Sequence, residues 1–172
     1  MPHIRALASI ACILLLFTAG CDRGEPPAEV QPVEGAAAPI QFGRGRVTIE
    51  TASDTFELGV EVAANEEQRS RGLMERQSLA ADSGMIFLFQ QPQPPTGVFW
   101  MFQTRIPLSI AFVGDDGRIG SIVEMEPCTS QFPQWCPNYE AGVPFVSALE
   151  VNAGYFRASN ISVGDRVVLE QQ

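Results

Sequence analysis

Alternating apolar and polar residues mark the start of the folded part of the chain. Residues 46–50 and 56–62 both alternate, which is the period of a strand buried on one face. Asn65 and Gln68 then stand at the spacing of a helix capping box, and Gly72 is placed to end that helix. The pattern therefore predicts two strands followed by one short helix.

The remaining pattern is dominated by short apolar or alternating runs, which indicate further strands. A loop with three prolines at Gln90–Gly97 and a hairpin turn at Asp115–Gly117 separate some of them. A break at Asn152–Gly154 precedes a short turn or helix. The predicted strands lie at residues 85–89, 98–102, 106–113, 119–125, 143–151 and 165–169. We expect a mainly β domain, a small β-barrel or two-layer β-roll of about seven strands with one or two short helices.

The N-terminal segment has a different character. Arg5 precedes an apolar run from Ala6 to Gly20, which is too short to cross a hydrocarbon core of about 30 Å comfortably as a helix. Residues 1–20 are therefore predicted to be a signal peptide. Residues 17–21 resemble the lipobox of bacterial lipoproteins, in which the cysteine is acylated and becomes the mature N-terminus. We expect Cys21 to be the lipid anchor, and the alternative is an ordinary leader with a chance cysteine.

Two regions follow the expected anchor. Residues 21–43 are rich in Pro, Ala, Glu and Gln and carry few core-forming residues, so we expect a flexible tether. Residues 44–172 are long enough to form a single domain. The expected location is exported and membrane-anchored, facing the periplasm or the outer side of the cell membrane.

The charge of the chain restricts its partners. The formal net charge is −9, which opposes both nucleic-acid binding and attachment to anionic lipid through basic patches. The expected membrane partner is therefore reached through the lipid anchor, and no nucleic-acid partner is expected.

Cys128 and Cys136 remain once the leader and the anchor are set aside. In an exported protein such a pair is expected to form a disulfide. The alternative is a redox or metal-binding thiol pair, but the spacing matches neither a C-x-x-C motif nor the usual zinc spacing. We therefore predict a structural disulfide.

Several short motifs stand in the order found in one known family. They are Arg71-Gly72-Leu73-Met74-x-Arg76, Gly84-Met85-Ile86-Phe87, Phe99-Trp100-Met101, Ile106-Pro107-Leu108, Ala148-Leu149-Glu150-Val151-x-Ala153-Gly154 and Gly164-Asp165. In these motifs the chain resembles the bacterial and archaeal family called domain of unknown function 192 (DUF192), over roughly Val47 to Leu169. The resemblance implies a compact, mainly β domain that is often exported. It implies no established activity.

The chain departs from the family pattern at two places. The family usually has Met-Lys-Asn-Thr before Ile-Pro-Leu and an Asp directly after it, whereas this chain has Phe102-Gln103 and Ser109 at those positions. If the family's Lys and Asp form a polar site, two of its members are replaced here. Either that site is structural in the family, or this chain has lost it.

Composition limits the possible catalytic chemistry. The only histidine is His3, within the predicted leader, so histidine-based triads and the usual zinc sites are excluded from the domain. Glu124, Glu126 and Glu150 remain as candidate carboxylates of a small hydrolase acting on envelope glycans. The alternative is a solvated polar face. We assign no catalytic residue and no cofactor.

Met74, Met85 and Met101 raise the question of a copper site, because thioethers bind Cu(I). Each of these methionines lies within an apolar motif, so core packing is the simpler interpretation. We assign no metal site.

Aromatic residues provide the remaining candidate site. Strand alternation places Phe99 and Met101 on one face and Trp100 and Phe102 on the other, so at least one pair is expected to be core. Rigid aromatic side chains on a disulfide-bonded loop suit stacking against a sugar or a protein. We predict a groove between the cystine loop and the proline-rich loop, and a noncatalytic module that binds a glycan or an envelope protein. The candidate binding residues are Trp100, Phe102, Gln103, Thr104, Arg105, Ser109, Phe132 and Trp135.

Overall fold

The computed structural model describes residues 39–171. The predicted signal peptide at 1–20, Cys21 and the predicted tether as far as Ala38 lie outside the described residues. Within the described residues there are nine strands, two short α-helices and one 3₁₀ turn, Pro133–Trp135. In chain order the elements are β1 (Gly43–Glu50), β2 (Thr55–Ala63), α1 (Glu66–Arg71), β3 (Ser83–Gln93), β4 (Val98–Trp100), β5 (Leu108–Val113), β6 (Ile119–Met125), β7 (Asn138–Glu140), β8 (Phe145–Asn152), α2 (Tyr155–Ala158) and β9 (Arg166–Gln171).

Seven strands form one mixed sheet in the order β6-β5-β8-β3-β2-β1-β9. Neighbours are antiparallel except β2 and β3, which are parallel and are connected through α1. The two edge strands meet at one end, where the Ile119 N–H donates to the Asp165 carbonyl at 2.9 Å. An isolated bridge between Arg118 and Arg166 accompanies this bond. The sheet is not closed, so the predicted mainly β class is confirmed and the predicted barrel is not.

Both faces of the central strands are covered. All six residues of β5 are buried. One face, here called the α2 face, packs Val60 and Leu149 against Phe156 of α2. The other, here called the α1 face, packs Met85 and Phe112 under the segment that follows α1. Burial on both faces explains the continuous apolar runs in the sequences of β3 and β5.

The predicted capping box of α1 is confirmed. The Gln68 N–H donates to the Asn65 side chain at 2.9 Å, and the Gln68 side chain accepts from the Asn65 N–H at 3.2 Å. Gly72 ends the helix with φ 46°, a left-handed conformation that glycine adopts without a Cβ penalty.

The structure corrects two details of the predicted strands. Strand β3 extends to Gln93, beyond the predicted loop start at Gln90, and its pairing with β8 shifts between Leu88 and Gln93. This irregularity accommodates Pro92, which lacks an N–H for the ladder. Strand β7 was not predicted, because its three residues are too few to show a period.

No helix in residues 39–171 is long and apolar enough to cross a membrane.

Candidate ligand-binding site

The predicted disulfide between Cys128 and Cys136 is confirmed, with the two Cα atoms 5.8 Å apart. Two further interactions hold the cystine loop against the rest of the domain. The Cys128 N–H donates to the Thr104 carbonyl at 3.1 Å, and β7, just after Cys136, pairs with β4. The cystine loop and the strand that follows the proline-rich loop are therefore neighbours. The groove predicted between the cystine loop and the proline-rich loop stays a prediction.

A polar pocket of about 370 Å³ lies between the cystine loop and the segment that joins β4 to β5. Its lining contains only polar side chains: Glu75, Gln103, Arg105, Thr129, Ser130 and Gln131. We call it the polar pocket. Two predicted binding residues, Gln103 and Arg105, line it.

Backbone conformation sets two of these residues apart. Glu75 has φ 63° and Gln103 has φ 54°, and the Glu75 N–H donates to the Gln103 carbonyl at 2.8 Å. Left-handed conformations are uncommon for residues other than Gly, Asn and Asp, and each costs on the order of 1 kcal/mol or more. Two such residues joined in one pocket wall indicate a wall whose shape is fixed at an energetic cost.

Charges of both signs are present at the pocket. A hydrogen bond from Arg71 to the exposed Glu75 carboxylate, at 2.6 Å, lowers the pKa of Glu75, and the charges of Arg71 and Arg105 act in the same direction. Glu75 is therefore a stable acceptor at neutral pH, and Arg105 offers guanidinium donors nearby. The pocket can exchange hydrogen bonds with a polar ligand that carries both donors and acceptors.

Four aromatic side chains lie next to the lining residues along the chain; we call Trp100, Phe102, Phe132 and Trp135 the aromatic rim. Trp100 and Phe102 have ring centroids 5.9 Å apart, and Phe132 and Trp135 have centroids 4.5 Å apart. Phe102 directly precedes Gln103 and Phe132 directly follows Gln131, so each pocket wall continues into an aromatic pair. Trp100, Phe132 and Trp135 are 44%, 45% and 68% exposed. Exposure of this degree is unusual for large apolar side chains that lie close together.

The alternation predicted for this segment is confirmed. Met101 is buried in the α1-face cluster, and Phe99 packs against that cluster. The Phe99 ring lies edge-on to Phe87 and Phe112, with centroids 5.1 Å and 5.5 Å away. The inward pair anchors the outward pair to the sheet.

Six of the eight predicted binding residues do not line the pocket, and two of these, Thr104 and Ser109, are buried. Thr104 is buried, and its carbonyl accepts from Cys128, so it supports the pocket wall from behind. Ser109 is fully buried on the α2 face. Its hydroxyl donates to Glu124 at 2.8 Å and accepts from the Gly154 N–H at 2.8 Å. Ser109 therefore acts within the fold and takes no part in the rim.

The two positions that depart from the family pattern are separate in space. Phe102 stacks on Trp100 and bridges to Cys128, whereas Ser109 bonds to Glu124 and Gly154. The ring, bridge and hydrogen-bond partners of the two residues are therefore different. The Glu124 carboxylate also accepts from the Gly154 N–H at 3.2 Å.

The candidate carboxylates do not converge. Strand register pairs Glu124 with Ser109 on the α2 face, and it pairs Glu150 with Met85 and Ile110 on the α1 face. Glu126 lies beyond the end of β6 and is exposed. The acids therefore share no cleft in which one could protonate a leaving group while the other acts opposite it.

Glu150 is nevertheless unusual because it is a carboxyl group with only 4% of its surface exposed. Burial raises the pKa of Glu150 from its ordinary value to about 8, since a charged carboxylate is poorly solvated in the interior. With Met85 and Ile110 as its strand neighbours, Glu150 is mostly protonated at neutral pH.

The proposed methionine site does not assemble as one cluster. Met85 and Met101 are buried in the α1-face cluster, whereas Met74 is only partly buried and is not part of it. Within residues 39–171, no three His, Cys, Asp or Glu side chains stand close enough together to hold a metal ion.

Sequence reasoning missed Glu75 and the polar wall at Thr129–Gln131. Only the left-handed φ of Glu75 distinguishes it, and a glutamate gives no sequence signal of that conformation. The predicted disulfide was the available signal for Thr129–Gln131, because these residues lie in the loop that it closes.

Comparison with known proteins identifies the family. The model of the DUF192 family, described as Uncharacterized ACR, matches residues 47–169, and the chain belongs to this family. No curated protein matches the chain.

Two solved structures are similar. A candidate transcription regulator from Sinorhizobium meliloti is 33% identical, with a TM-score of 0.69, over 77% of this chain and 98% of its own. A protein of unknown function from Novosphingobium aromaticivorans is 31% identical, with a TM-score of 0.65, over 81% of this chain and 99% of its own. Both relatives consist almost entirely of the part that this chain matches.

Proposed function

We propose that this DUF192 protein is a noncatalytic binding module of the cell envelope, which takes a glycan at the polar pocket and stacks it on the aromatic rim. One observation carries the proposal: a pocket is lined by polar side chains, and two aromatic pairs adjoin its lining residues along the chain. A sugar presents hydroxyl groups around a ring whose faces are apolar. The pocket offers amide, hydroxyl, guanidinium and carboxylate groups to the former, and the rim offers flat surfaces to the latter.

Preorganisation supports a binding role. The disulfide, the β4–β7 pairing and the hydrogen bond between Glu75 and Gln103 fix both walls of the pocket before any ligand arrives. A ligand then loses little of its binding free energy to ordering the site. The aromatic rim alone would suit a protein partner as well as a glycan. The polar pocket favours a glycan, because its side chains can hydrogen-bond to sugar hydroxyl groups.

The alternative of a small hydrolase receives no comparable support. Glycoside hydrolysis requires two acids on opposite sides of one bond. Glu124 and Glu150 lie on opposite faces of the sheet, and Glu75 is paired with Arg71. The S. meliloti relative is named as a transcription regulator. The formal charge of −9 on this chain argues against such a role, because it opposes binding to DNA phosphates.

Membrane anchoring through Cys21 is the second part of the proposal. The leader and the lipobox-like residues before Cys21 support it, and they imply a module tethered at the membrane surface. Cell fractionation of wild type and of Cys21→Ser tests this part. We expect the wild type in the membrane fraction and Cys21→Ser in the soluble exported fraction, and equal distribution of the two would contradict it.

A glycan array tests the binding role directly. Wild-type protein, Trp135→Ala and Gln103→Ala are compared, with Val163→Ala as the matched control because Val163 is 61% exposed and lies outside the rim. We expect wild type and Val163→Ala to share a binding profile that both site variants lose. Equal profiles for all four proteins, or no glycan bound by the wild type, would overturn the proposal. Capture of an envelope protein in place of a glycan, dependent on Trp135, would reassign the site to a protein partner.

A further inference from the structure

A second cleft lies on the outer surface of the β1–β2 pair, separate from the polar pocket. It has a volume of about 450 Å³. Gly45 and Gly59 line it from β1 and β2, Ser78, Leu79 and Ala80 line it from the segment before β3, and Arg44 and Arg76 line it as well. A smaller cavity of about 250 Å³ adjoins it and shares both glycines. We call the larger space the Gly59 cleft.

Two of the three glycines at this cleft have a structural explanation. A Cβ at Gly45 would come within 2.9 Å of the Glu170 carbonyl oxygen. A Cβ at Gly84 would come within 2.6 Å of the Glu150 carbonyl oxygen. Both positions need glycine because a neighbouring backbone lies too close for any side chain.

Gly59 has no such explanation. A Cβ there would meet nothing within 4 Å, and its φ lies outside the left-handed region. Glycine inside a strand normally destabilises it, and where no backbone requires it, it often marks a place where a ligand approaches closely. Leu58 and Val60 point to the buried α2 face, so a side chain at position 59 would point outward into the cleft.

The charges at the cleft favour an anion. Strand register places Arg44 opposite Glu61, and the Arg76 guanidinium donates to Glu61 at 2.5 Å. Among the residues that line the cleft, two arginines therefore stand against one carboxylate, and Asp82 lines the adjoining cavity. Arg44 forms no salt bridge with any other described residue. The hydroxyl-bearing residue Ser83 also lines the cleft.

We propose that the Gly59 cleft binds a small ligand bearing an oxyanion, a carboxylate or a phosphate, with the anionic group between Arg44 and Arg76 and the body of the ligand over Gly59. Arginine presents paired N–H donors that match either oxyanion. The site lies outside the polar pocket, so it does not depend on the glycan proposal.

Amide NMR of the isolated domain tests this site, since the described residues 39–171 belong to one compact unit and the two solved relatives consist almost entirely of this domain. Citrate and inorganic phosphate are the probes, glucose is the neutral control, and ionic strength is held constant. We expect saturable shifts at Gly45, Gly59 and Gly84 with at least one anion and none with glucose. The anion that saturates at lower concentration identifies the ligand as a carboxylate or a phosphate.

The Gly59→Val variant distinguishes a loss of ligand binding from a loss of folding. Valine favours strands and has room here, so we expect an equal or higher melting temperature together with at least a tenfold loss of affinity. Arg44→Gln should also lose about tenfold, whereas the matched control Arg157→Gln, at an exposed arginine of α2, should bind as the wild type does. No saturable shift with either anion, shifts spread equally over exposed arginines, or unchanged affinity in Gly59→Val would each overturn the proposal.

Discussion

The central sheet and the aromatic rim use the same kinds of side chain in opposite ways. In the sheet, Phe112 is wholly buried between neighbouring strands, whereas at the rim Trp135 is 68% exposed. Burial of an aromatic side chain stabilises the fold by roughly 2–3 kcal/mol, and an exposed one contributes little of this. The buried aromatic side chains of the sheet therefore stabilise the fold, whereas the exposed ones of the rim are available to contact a ligand.

The carboxyl groups of the two regions differ in the same sense. Burial raises the pKa of Glu150 in the sheet, whereas Arg71 lowers the pKa of Glu75 at the polar pocket. The sheet holds an uncharged acid, and the pocket holds an ionised acceptor. Chemistry that needs a charged carboxylate at neutral pH is therefore available at Glu75 and not at Glu150.

The largest expected contrast is between Phe112→Ala and Trp135→Ala. Removing the buried ring leaves a cavity and should lower the free energy of unfolding by about 3–5 kcal/mol. Removing the exposed ring should lower it by about 0.5 kcal/mol or less. Urea denaturation of both variants measures the difference, and similar losses would remove the basis for the comparison.

The next contrast is the pH dependence of stability. The folded pKa of Glu150, about 8, lies above its unfolded value, so only the folded state stays protonated between the two pKa values. Stability is therefore lost as the pH rises, by roughly 3 kcal/mol between about pH 5 and 8. The described residues contain no histidine, so no side chain of ordinary pKa competes in that window.

Glu150→Gln isolates this effect, because glutamine keeps the shape and cannot ionise. Thermal unfolding at several pH values should show a slope for the wild type and a flat profile for the variant. Glu124→Gln is the matched control on the opposite face, and it should keep the wild-type slope. A flat wild-type profile would mean that Glu150 is ionised in the folded protein.

Reduction of the Cys128–Cys136 disulfide should act mainly on the rim. The sequence separation is 8, so loss of the cross-link is expected to cost about 2.5 kcal/mol by the chain-entropy model. Glycan affinity should fall as well, because the Thr129–Gln131 wall of the pocket is no longer held. A Cys128→Ala/Cys136→Ala variant that binds as tightly as the wild type would show that the loop does not need this constraint.

The smallest expected effect is at the left-handed residues. Gln103→Gly should relieve backbone strain and leave stability unchanged or raised by about 0.5–1 kcal/mol, while removing a hydrogen-bonding side chain from the pocket. Asn160→Gly, at a left-handed residue outside the pocket, should change stability similarly and leave binding intact. Reduced stability in Gln103→Gly would show that the side chain is needed for folding.

Local sequence patterns predicted the strands and helices of this fold, but they did not predict whether the sheet closes into a barrel. Alternation at residues 56–62 and the capping pair Asn65 and Gln68 predicted β2 and α1 correctly, because both signals come from neighbours along the chain. Whether the sheet closes depends on how β6 and β9 approach each other. Those strands are distant in sequence, and no local pattern specifies the gap between them.

The candidate site was predictable to the same extent. Exposure of Trp100 and burial of Met101 followed from strand alternation. Burial of Ser109 on the α2 face did not, because its neighbours Glu124 and Gly154 become visible only in the folded sheet. Glu75 lines the pocket with a left-handed backbone conformation, and no sequence pattern predicts that conformation for a glutamate.

Tryptophan fluorescence tests the central claim most directly, because the chain has only two tryptophans, Trp100 and Trp135, and both belong to the aromatic rim. Soluble envelope oligosaccharides are titrated into the wild type and into Gln103→Ala. The account predicts a saturable blue shift for the wild type, as ligand displaces water from both indoles, and a weaker response for the variant. Oligosaccharide binding detected by calorimetry with no change in tryptophan emission would contradict it.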